Sequence, residues 1–459
     1  MSPSRIAWVV AGMIALFVGV PPFSAAQAAA LKGIETGDLD RTADPCNDFY
    51  AFANGTWRAK NPIPKGEQRW SRRTAGRETN RRQLRELLQE LAAKADRPRG
   101  GVEQQLGDYF ASCMNGPAFK NEARARRAAI CLESTEALLG EPLGRAYAER
   151  HFPPAAKAKV QEIVRNLLAV LKDDLGELQW MSETAQQQAL AKVAAFEVLV
   201  GYPDAWTDTS ALVIRRDAFW ANVEAARRFS VETDRKRMGE STSRAVWQLP
   251  PSSPGAYIDI QLNMMGLPAG FLQEPAFDLA ASDAVNYGAI GISLAHDLTH
   301  AIDALGRDFD STGQPRNWWT KADFDAFQNV GQCTVDQYDG YEIEPGVHLD
   351  GKQVLGEALG DLAGVRLAYR ALERSMQSHP VPEIDGFSPE QQFFIAWGQF
   401  RGAAESLELQ RQMVKSDPHP TAKYRVIGPL SNAPEFQQAF GCKAGAALVR
   451  PPEKRCGIW

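Results

Sequence analysis

Two histidines four residues apart, His296 and His300, are the residues of this sequence best suited to do chemistry. In an α-helix, residues i and i+4 lie on one face, so both imidazoles can reach the same metal ion. Apolar side chains between Ile290 and Ile302 surround the pair, as expected of a buried helix that fixes ligand geometry. Histidine pairs with this spacing also occur by chance, so the pair alone is weak evidence for a metal site.

A second pair with the same spacing, Glu357 and Asp361, occurs later in the chain. A catalytic zinc ion takes three protein ligands and keeps one position open for water. His296, His300 and Glu357 would supply the three ligands. Ligating imidazoles also need acceptors for their other N–H groups, a role open to Asp303 and Asp361. Each carboxylate alone is better explained as part of a solvated helix face, but together they favour a zinc site.

The elements that carry these residues are predicted to be long helices. Hydrophobic spacing predicts one helix over residues 284–304 and another over residues 354–376. A further helix begins after residue 181, with Ser182 or Thr184 as its N-cap. The other predicted elements are two helices, a turn, a linker and an edge strand, at residues 79–95, 157–178, 201–204, 249–255 and 256–259 respectively. The predicted fold class is therefore mainly α with a small β component.

Composition indicates a globular protein without a nucleic-acid partner. The 459 residues include 44% apolar side chains, which is enough for two or three packed domains. No period of about 20–50 residues repeats, which argues against a solenoid. The formal net charge of −5 gives no electrostatic reason to expect binding to nucleic acid or to an anionic membrane.

The N-terminus is typical of an export signal. Arg5 precedes an apolar run over residues 6–20, and Ala26-Gln27-Ala28 matches a small-x-small cleavage site. No later run approaches 18 uninterrupted apolar residues, so no stable membrane insertion is expected after cleavage. We expect a periplasmic or secreted protein, and an uncleaved anchor is the alternative.

An even number of cysteines after an export signal favours disulfides in an oxidising compartment. None of the six belongs to a C-x-x-C pair, which argues against cysteine ligation of a metal. Six cysteines allow 15 pairings, and spacing alone does not choose among them. They are Cys46, Cys113, Cys131, Cys333, Cys442 and Cys456.

The sequence resembles the neprilysin (M13) family of zinc endopeptidases, which belong to the gluzincins. The resemblance covers nearly the whole mature chain and is densest over its last 200 or so residues. It is carried by His296-Asp297-Leu298-Thr299-His300 and by further motifs of high specificity. These lie at residues 286–291, 308–310, 318–320, 337–338, 356–361, 425–432 and 456–459.

This resemblance implies a thermolysin-like zincin catalytic domain with one Zn²⁺ per chain. His296, His300 and Glu357 would be its ligands, supported by Asp303 and Asp361. It also implies a helical lid domain over the catalytic cleft and a peptide or protein as substrate.

The resemblance assigns further roles. His419 and Arg425 match positions that stabilise the oxyanion and bind substrate main chain, and Gly255-Ala256 matches a substrate-binding edge strand. It pairs Cys46 with Cys442, Cys113 with Cys131, and Cys333 with Cys456. A remaining family disulfide is absent at both ends, where Asn54 and Gly402 stand.

Four departures from the family bear on activity. Asp297 replaces the glutamate that acts as general base, and its stem is shorter by about 1.5 Å. Gly255 replaces an asparagine that hydrogen-bonds substrate backbone. Phe400-Arg401 and Ser293 replace apolar residues of the pocket for the residue after the scissile bond. Residues 113–131 span a disulfide that encloses much of the helical domain in the family, so the lid is expected to be shortened.

We therefore expect four segments: a signal peptide, an N-terminal segment that packs on the catalytic domain, a reduced helical lid, and the zinc peptidase domain. Their bounds are 1–28, 29–112, 113–249 and 250–459. The leading interpretation is an exported zinc endopeptidase of reduced or altered activity. A catalytically inert relative that binds zinc and peptide is the main alternative, and a purely structural ion-pair network is the third.

Overall fold

The computed structural model describes residues 31–238 and 244–457. The expected signal peptide, residues 1–28, lies outside these ranges, as do the last two residues of the motif at 456–459. Among the described helices, none is both long enough and apolar enough to cross a membrane.

Helices account for 56% of the structure and strands for 7%, which confirms the mainly α fold with a small β component. In chain order, the α-helices of the described residues are α1 (Phe49–Lys60), α2 (Arg72–Ala93), α3 (Val102–Asn115), α4 (Arg124–Leu138), α5 (Gly140–His151), α6 (Pro154–Leu175), α7 (Glu183–Ala194), α8 (Phe219–Arg237), α9 (Asp283–Asn286), α10 (Ile292–His300), α11 (Lys321–Asp339), α12 (Leu355–Met376), α13 (Pro389–Phe400), α14 (Leu407–Ser416), α15 (Ala422–Leu430) and α16 (Pro434–Ala439).

Short polar side chains begin several of these helices. Ser182, rather than Thr184, caps α7, because its side chain accepts a hydrogen bond from the backbone N–H of Ala185. A reciprocal capping box between Thr320 and Asp323 begins α11. Such caps satisfy backbone donors that have no partner within the helix.

The strands are short and form three small sheets. They are β1 (Arg69–Ser71), β2 (Glu197–Gly201), β3 (Tyr257–Asp259), β4 (Met264–Pro268), β5 (Glu342–Glu344), β6 (Val347–His348) and β7 (Ala403–Glu405). In the three-stranded sheet, β4 pairs parallel with β2 and antiparallel with β3. The edge strand expected over residues 256–259 is therefore present as β3. The β1–β7 and β5–β6 pairs were not expected from the sequence.

The helix expected over residues 284–304 is present from Asp283 to His300, and its middle part is a π-helical turn. Helix α9 passes into a π-helical turn, Tyr287–Gly291, and α10 then ends at His300. A Cβ on Gly288 would lie 2.1 Å from the carbonyl oxygen of Phe393 in α13, so this glycine permits a close approach between the two backbones. The π turn lies immediately before the helix that carries both histidines, and such turns often occur at functional sites.

The loop after α10 is held by a buried lysine. Nζ of Lys192 in α7 donates hydrogen bonds of 2.7 Å to the carbonyl oxygens of Gly306 and Phe309. Nε1 of Trp318 lies 3.2 Å from the same two oxygens. Burial lowers the pKa of Lys192 to about 8. These contacts fix the loop in which Asp303 lies.

Elements on both sides of residue 249 pack together. Helix α6 contacts α12, and β2 joins the sheet that contains β3 and β4. Segment 113–249 therefore contributes a helix and a strand to the packing around residues 250–459. The division of the chain into four segments stays a prediction.

Three disulfides of the structure follow the pairing that the family resemblance implied: Cys46–Cys442, Cys113–Cys131 and Cys333–Cys456. Asn54 and Gly402 are also adjacent, since a Cβ on Gly402 would lie 2.3 Å from Oδ1 of Asn54. The two positions where the family resemblance implies a further disulfide are therefore neighbours in space, and neither carries a cysteine.

The disulfides are predicted to stabilise the fold unequally. Their sequence separations are 396 for Cys46–Cys442 and 18 for Cys113–Cys131. In the chain-entropy account, a loop of the smaller size contributes about 3 kcal/mol and a longer loop contributes more. Replacing Cys46 and Cys442 together by alanine should lower the unfolding temperature more than replacing Cys113 and Cys131. Calorimetry of the two double variants measures this, and the opposite order would contradict it.

Candidate metal centre

Helices α10 and α12 carry the candidate ligands, and glycines of α12 allow the two helices to approach closely. A Cβ on Gly360 would lie 2.7 Å from Nδ1 of His296. A Cβ on Gly364 would lie 2.7 Å from the carbonyl oxygen of Ile292. Both distances are too short for non-bonded contact, so these positions require glycine. Hydrophobic spacing predicted both helices, but it did not predict how closely they pack against each other.

Three side chains from these helices converge on one point. Nε2 of His296 lies 3.1 Å from Nε2 of His300 and 3.1 Å from Oε2 of Glu357. Nε2 of His300 lies 3.7 Å from Oε1 of Glu357. A tetrahedral zinc ion with bonds of about 2.0–2.1 Å holds its ligand atoms roughly 3.3 Å apart. The spacing of these donor atoms therefore fits a zinc ion.

The orientation of Glu357 supports the same interpretation. Its Oε2 is buried, and nitrogens of His296 and His419 lie 3.1 and 3.0 Å away. Within the described residues, this oxygen has no hydrogen-bond partner of normal geometry. A buried carboxylate oxygen normally has a hydrogen-bond partner or a metal ion.

Two carboxylates lie behind the histidines. Oδ2 of Asp303 is 2.8 Å from Nδ1 of His300. Oδ1 of Asp361 is 3.0 Å from Nδ1 of His296. Burial lowers the pKa of His300, but the hydrogen bond and charge of Asp303 outweigh it and raise that pKa to about 9. Both imidazoles are thus oriented with Nε2 toward the common point.

An arginine holds the carboxylate of Asp361. Nε and Nη2 of Arg425 each donate a hydrogen bond of 2.7 Å to Asp361. Burial opposes the ionisation of Asp361, but the charges of Arg425 and His296 hold its pKa well below the ordinary range. The bidentate pair therefore fixes both Asp361 and the guanidinium of Arg425.

His419 approaches the same centre from the loop before α15. Its Nε2 lies 3.0 Å from Oε2 of Glu357, and its Nδ1 lies 2.8 Å from Oδ1 of Asp417. The contact with Glu357 raises the pKa of His419. Burial opposes the ionisation of Glu357, but His296, His419 and Arg425 hold its pKa far below the usual value.

Asp297 lies on the open side of the cluster. It and Ser293, four residues earlier, are the residues of α10 that are not buried. A carboxylate oxygen of Asp297 is within 4.8 Å of the nearest ring nitrogens of His296 and His300. Distance alone would therefore also let Asp297 reach an ion at this site.

The remaining predicted site residues lie on neighbouring elements. Gly255 and Ala256 come directly before the edge strand β3, and a Cβ on Gly255 would meet only ordinary contacts. Phe400 ends α13 and is buried, and Arg401 follows it with a side chain 8% exposed. Nη2 of Arg401 lies 3.6 Å from Oδ1 of Asp361.

Sequence reasoning missed Arg73 in α2, which lies close to the candidate centre. Burial, with the charges of Arg77 and Arg425, lowers the pKa of Arg73 to about 10, while Asp297 opposes the shift. The spacing of Arg69, Arg73 and Arg77 at every fourth residue was the available signal.

The glycine contact between α10 and α12 can be tested by a matched pair of substitutions. Gly360→Ala should lower stability by about 1–3 kcal/mol, because the added methyl group overlaps His296. Gly356→Ala in the same helix is the control, since a Cβ there meets nothing within 4 Å. It should be neutral or gain roughly 1 kcal/mol from helix propensity. Equal unfolding free energies for the two variants in denaturant titrations would contradict this packing.

Comparison with known proteins gives matches over most of the chain. Family models described as Peptidase family M13 match residues 255–456 and, in two overlapping segments, residues 45–127 and 116–203. Human endothelin-converting enzyme-like 1 is 32% identical over 345 residues, which are 72% of this chain and 44% of that protein. Human endothelin-converting enzyme 1 is 30% identical, with the same coverage of each chain. The chain spans less than half the length of these relatives.

Solved structures of a mycobacterial protein are also similar. The open state of the Mycobacterium tuberculosis zinc metalloprotease Zmp1 has a TM-score of 0.84, covering 91% of this chain and 100% of that chain. At 20% identity this match shows the fold. A partially open state of Mycobacterium tuberculosis zinc metalloprotease 1 is 31% identical, with a TM-score of 0.64, and covers 78% of this chain and 56% of that chain. Taken with the family-model matches, these similarities show that the chain belongs to peptidase family M13.

Proposed function

We propose that this protein is an exported zinc-dependent endopeptidase whose turnover is slow. The observation that carries the proposal is the convergence of His296, His300 and Glu357, with donor atoms 3.1–3.7 Å apart. Membership of peptidase family M13 supports it. The disulfides support an oxidising compartment, either the periplasm or the extracellular space.

The ligand set would hold one zinc ion per chain. Bound there, zinc would lower the pKa of a coordinated water and polarise a peptide carbonyl. Asp303 is hydrogen-bonded to Nδ1 of His300, and Oδ1 of Asp361 lies 3.0 Å from Nδ1 of His296, so in both rings Nε2 is the nitrogen available to ligate. Arg425 in turn holds Asp361 in place.

Asp297 is the proposed general base. Its position on the open side of α10, near both histidines, suits a carboxylate that accepts a proton from water and passes it to the leaving amine. The shorter side chain places this carboxylate farther from the water than a glutamate would. A misplacement of about 1 Å can cost roughly a hundredfold in rate. We therefore propose slow catalysis rather than none.

His419 and Arg425 are the proposed oxyanion and substrate contacts. Both lie within 3.6 Å of Oε2 of Glu357, next to the convergent ligand atoms. Arg425 is already fixed by Asp361 and His419 by Asp417, so neither must reorganise when charge develops on the substrate.

Substrate backbone is proposed to bind along β3. This strand is at the edge of its sheet, so its free side can pair with an extended peptide. Gly255 supplies no side-chain donor at the start of the strand, and Ala256 offers its backbone groups. We therefore expect this strand to bind the substrate main chain more weakly, or less selectively, than a strand with asparagine at position 255 would.

A shortened lid is proposed over the cleft. The N-terminal family model matches in two segments that meet near residues 116–127, within the Cys113–Cys131 interval. This split supports a deletion there, within the segment 113–249 that we assign to the lid. An open cleft would admit larger substrates and more water, which weakens electrostatic stabilisation.

A catalytically inert protein that binds zinc and peptide is the second candidate function. Asp297, Gly255 and the short Cys113–Cys131 interval favour it. The positions of His419 and Arg425 beside the ligands favour the enzyme, because an oxyanion that needs such donors develops only during turnover.

Metal content tests the proposed ligand set. Purified protein should contain about one zinc ion per chain, and Glu357→Gln should lose it, because a neutral amide is a poor zinc ligand. Glu373→Gln is the matched control, an exposed glutamate of the same helix. Atomic absorption after dialysis measures the ratio. Absence of zinc from the wild-type protein, or its retention in Glu357→Gln, would count against the site.

Rate measurements test the role of Asp297. Asp297→Glu should raise peptide cleavage by roughly 10- to 100-fold, because the longer carboxylate reaches the water. Asp297→Asn should abolish cleavage while zinc stays bound, because the amide cannot accept the proton. Initial rates on a mixed peptide library, with zinc content as the control, measure both. Inert wild-type and Asp297→Glu proteins, each with zinc bound, would instead support the inert binder.

A further inference from the structure

A pocket rich in arginine adjoins the candidate metal centre. It has a volume of about 240 Å³, and it is lined by His419 and Arg425 on the side of the centre. The four other arginines of its lining come from two parts of the chain, α2 with the strand before it and the end of α13. They are Arg69, Arg73, Arg77 and Arg401. This volume is below the range of about 300–1,000 Å³ typical of pockets for drug-sized ligands, so it suits a single side chain.

The residues that line this pocket carry too few acidic groups to balance its positive charge. Asp417 is its one acidic lining residue, and Oδ1 of Asp417 already accepts hydrogen bonds from the backbone and Nδ1 of His419. Arg69 is paired with Glu405 at 2.5 Å. Arg73 and Arg77 form no ion pair within the described residues.

Arg401 is the most constrained of these cations. Its side chain is 8% exposed, and Nε is buried without a hydrogen-bond partner in the described part of the chain. Its nearest carboxylate, Asp361 at 3.6 Å, already accepts two hydrogen bonds from Arg425. The guanidinium lies 4.6 Å from the ring of Trp397. Burying a charged guanidinium without a full set of hydrogen-bond partners is costly. An anion that enters the pocket would supply the missing partner of Arg401 and would be stabilised by it.

Arg73 and Arg401 flank the same ring. Each guanidinium carbon lies 5.6 Å from the ring centroid of Phe400. Both side chains also line the pocket, Arg73 from α2 and Arg401 from the end of α13. Arginine forks match the geometry of a carboxylate, whose two oxygens accept parallel hydrogen bonds.

We propose that this pocket binds an acidic side chain of the substrate, a glutamate or aspartate that directly follows the scissile bond. Arg73 and Arg401 are the specificity-determining residues, and Phe400 supports both. The proposal rests on the peptidase function, which places substrate at His419 and Arg425 beside the pocket. The selected substrates are then peptides cleaved on the amino side of an acidic residue.

The test uses peptides that differ only in glutamate, glutamine or leucine after the expected cleavage site, with products identified by mass spectrometry. Wild-type protein should cleave the glutamate peptide with a kcat/KM about 10- to 100-fold above that of the glutamine peptide, as expected of a charged hydrogen-bonded pair. Arg73→Gln and Arg401→Gln should each reduce this ratio toward one. Arg126→Gln, at a side chain 74% exposed on α4, is the control and should leave it unchanged.

The guanidinium of Arg73 is less deeply buried than that of Arg401, so Arg73→Gln keeps the test valid if the Arg401 variant fails to fold. Cleavage that favours leucine, or that ignores the charge, would overturn the proposal and leave the peptidase function intact.

If no peptide is cleaved, a binding measurement still distinguishes the proposed pocket for an acidic side chain from the proposed peptidase function. Reduced-amide versions of the glutamate and glutamine peptides, which cannot be hydrolysed, are titrated by fluorescence anisotropy. Tighter binding of the glutamate version to the wild type, lost in Arg73→Gln, would support the arginine pocket as a site for an acidic side chain while the peptidase function fails. Equal binding of both versions would overturn the pocket as well.

Discussion

The close packing of α10 against α12 is the contact on which the site depends. Gly360 and Gly364 remove the side chains that would separate the helices, and His296 therefore lies against the backbone of α12. This approach brings Glu357 within 3.1 Å of His296. Two histidines on one helix turn are common, but two histidines and a half-buried glutamate at tetrahedral spacing require this packing. A larger residue at position 360 would separate the ligands.

Charge is the second constraint on the centre. Half-buried Glu357 and fully buried Asp361 both keep a pKa below the ordinary range, because His296, His419 and Arg425 are close to them. Removing one partner from such a cluster leaves another charge buried and uncompensated, which is far more costly than its individual contacts indicate. Arg425, which lies beyond the ligands, therefore contributes to the stability of the centre.

Much of this arrangement could be predicted from the sequence, and the failures have physical causes. The spacing of His296, His300, Glu357 and Asp361 predicted which residues meet, since helical periodicity fixes the face each occupies. The π turn at Tyr287–Gly291 was not predicted, because all five of its residues are buried and a stretch buried on every side shows no periodic pattern. The arginine pocket was missed because α2 and the end of α13 meet only through the tertiary fold, although Arg73 and Arg77 share a helix face.

The central claim is that one metal ion bridges α10 and α12. Anomalous diffraction from crystals of the zinc-loaded protein, recorded on both sides of the zinc absorption edge, tests it most directly. The predicted result is one peak per chain, about 2.0–2.2 Å from Nε2 of His296, Nε2 of His300 and a carboxylate oxygen of Glu357, with Asp297 outside bonding distance. A peak coordinated by Asp297 in place of Glu357, or no peak between the helices, would contradict the account.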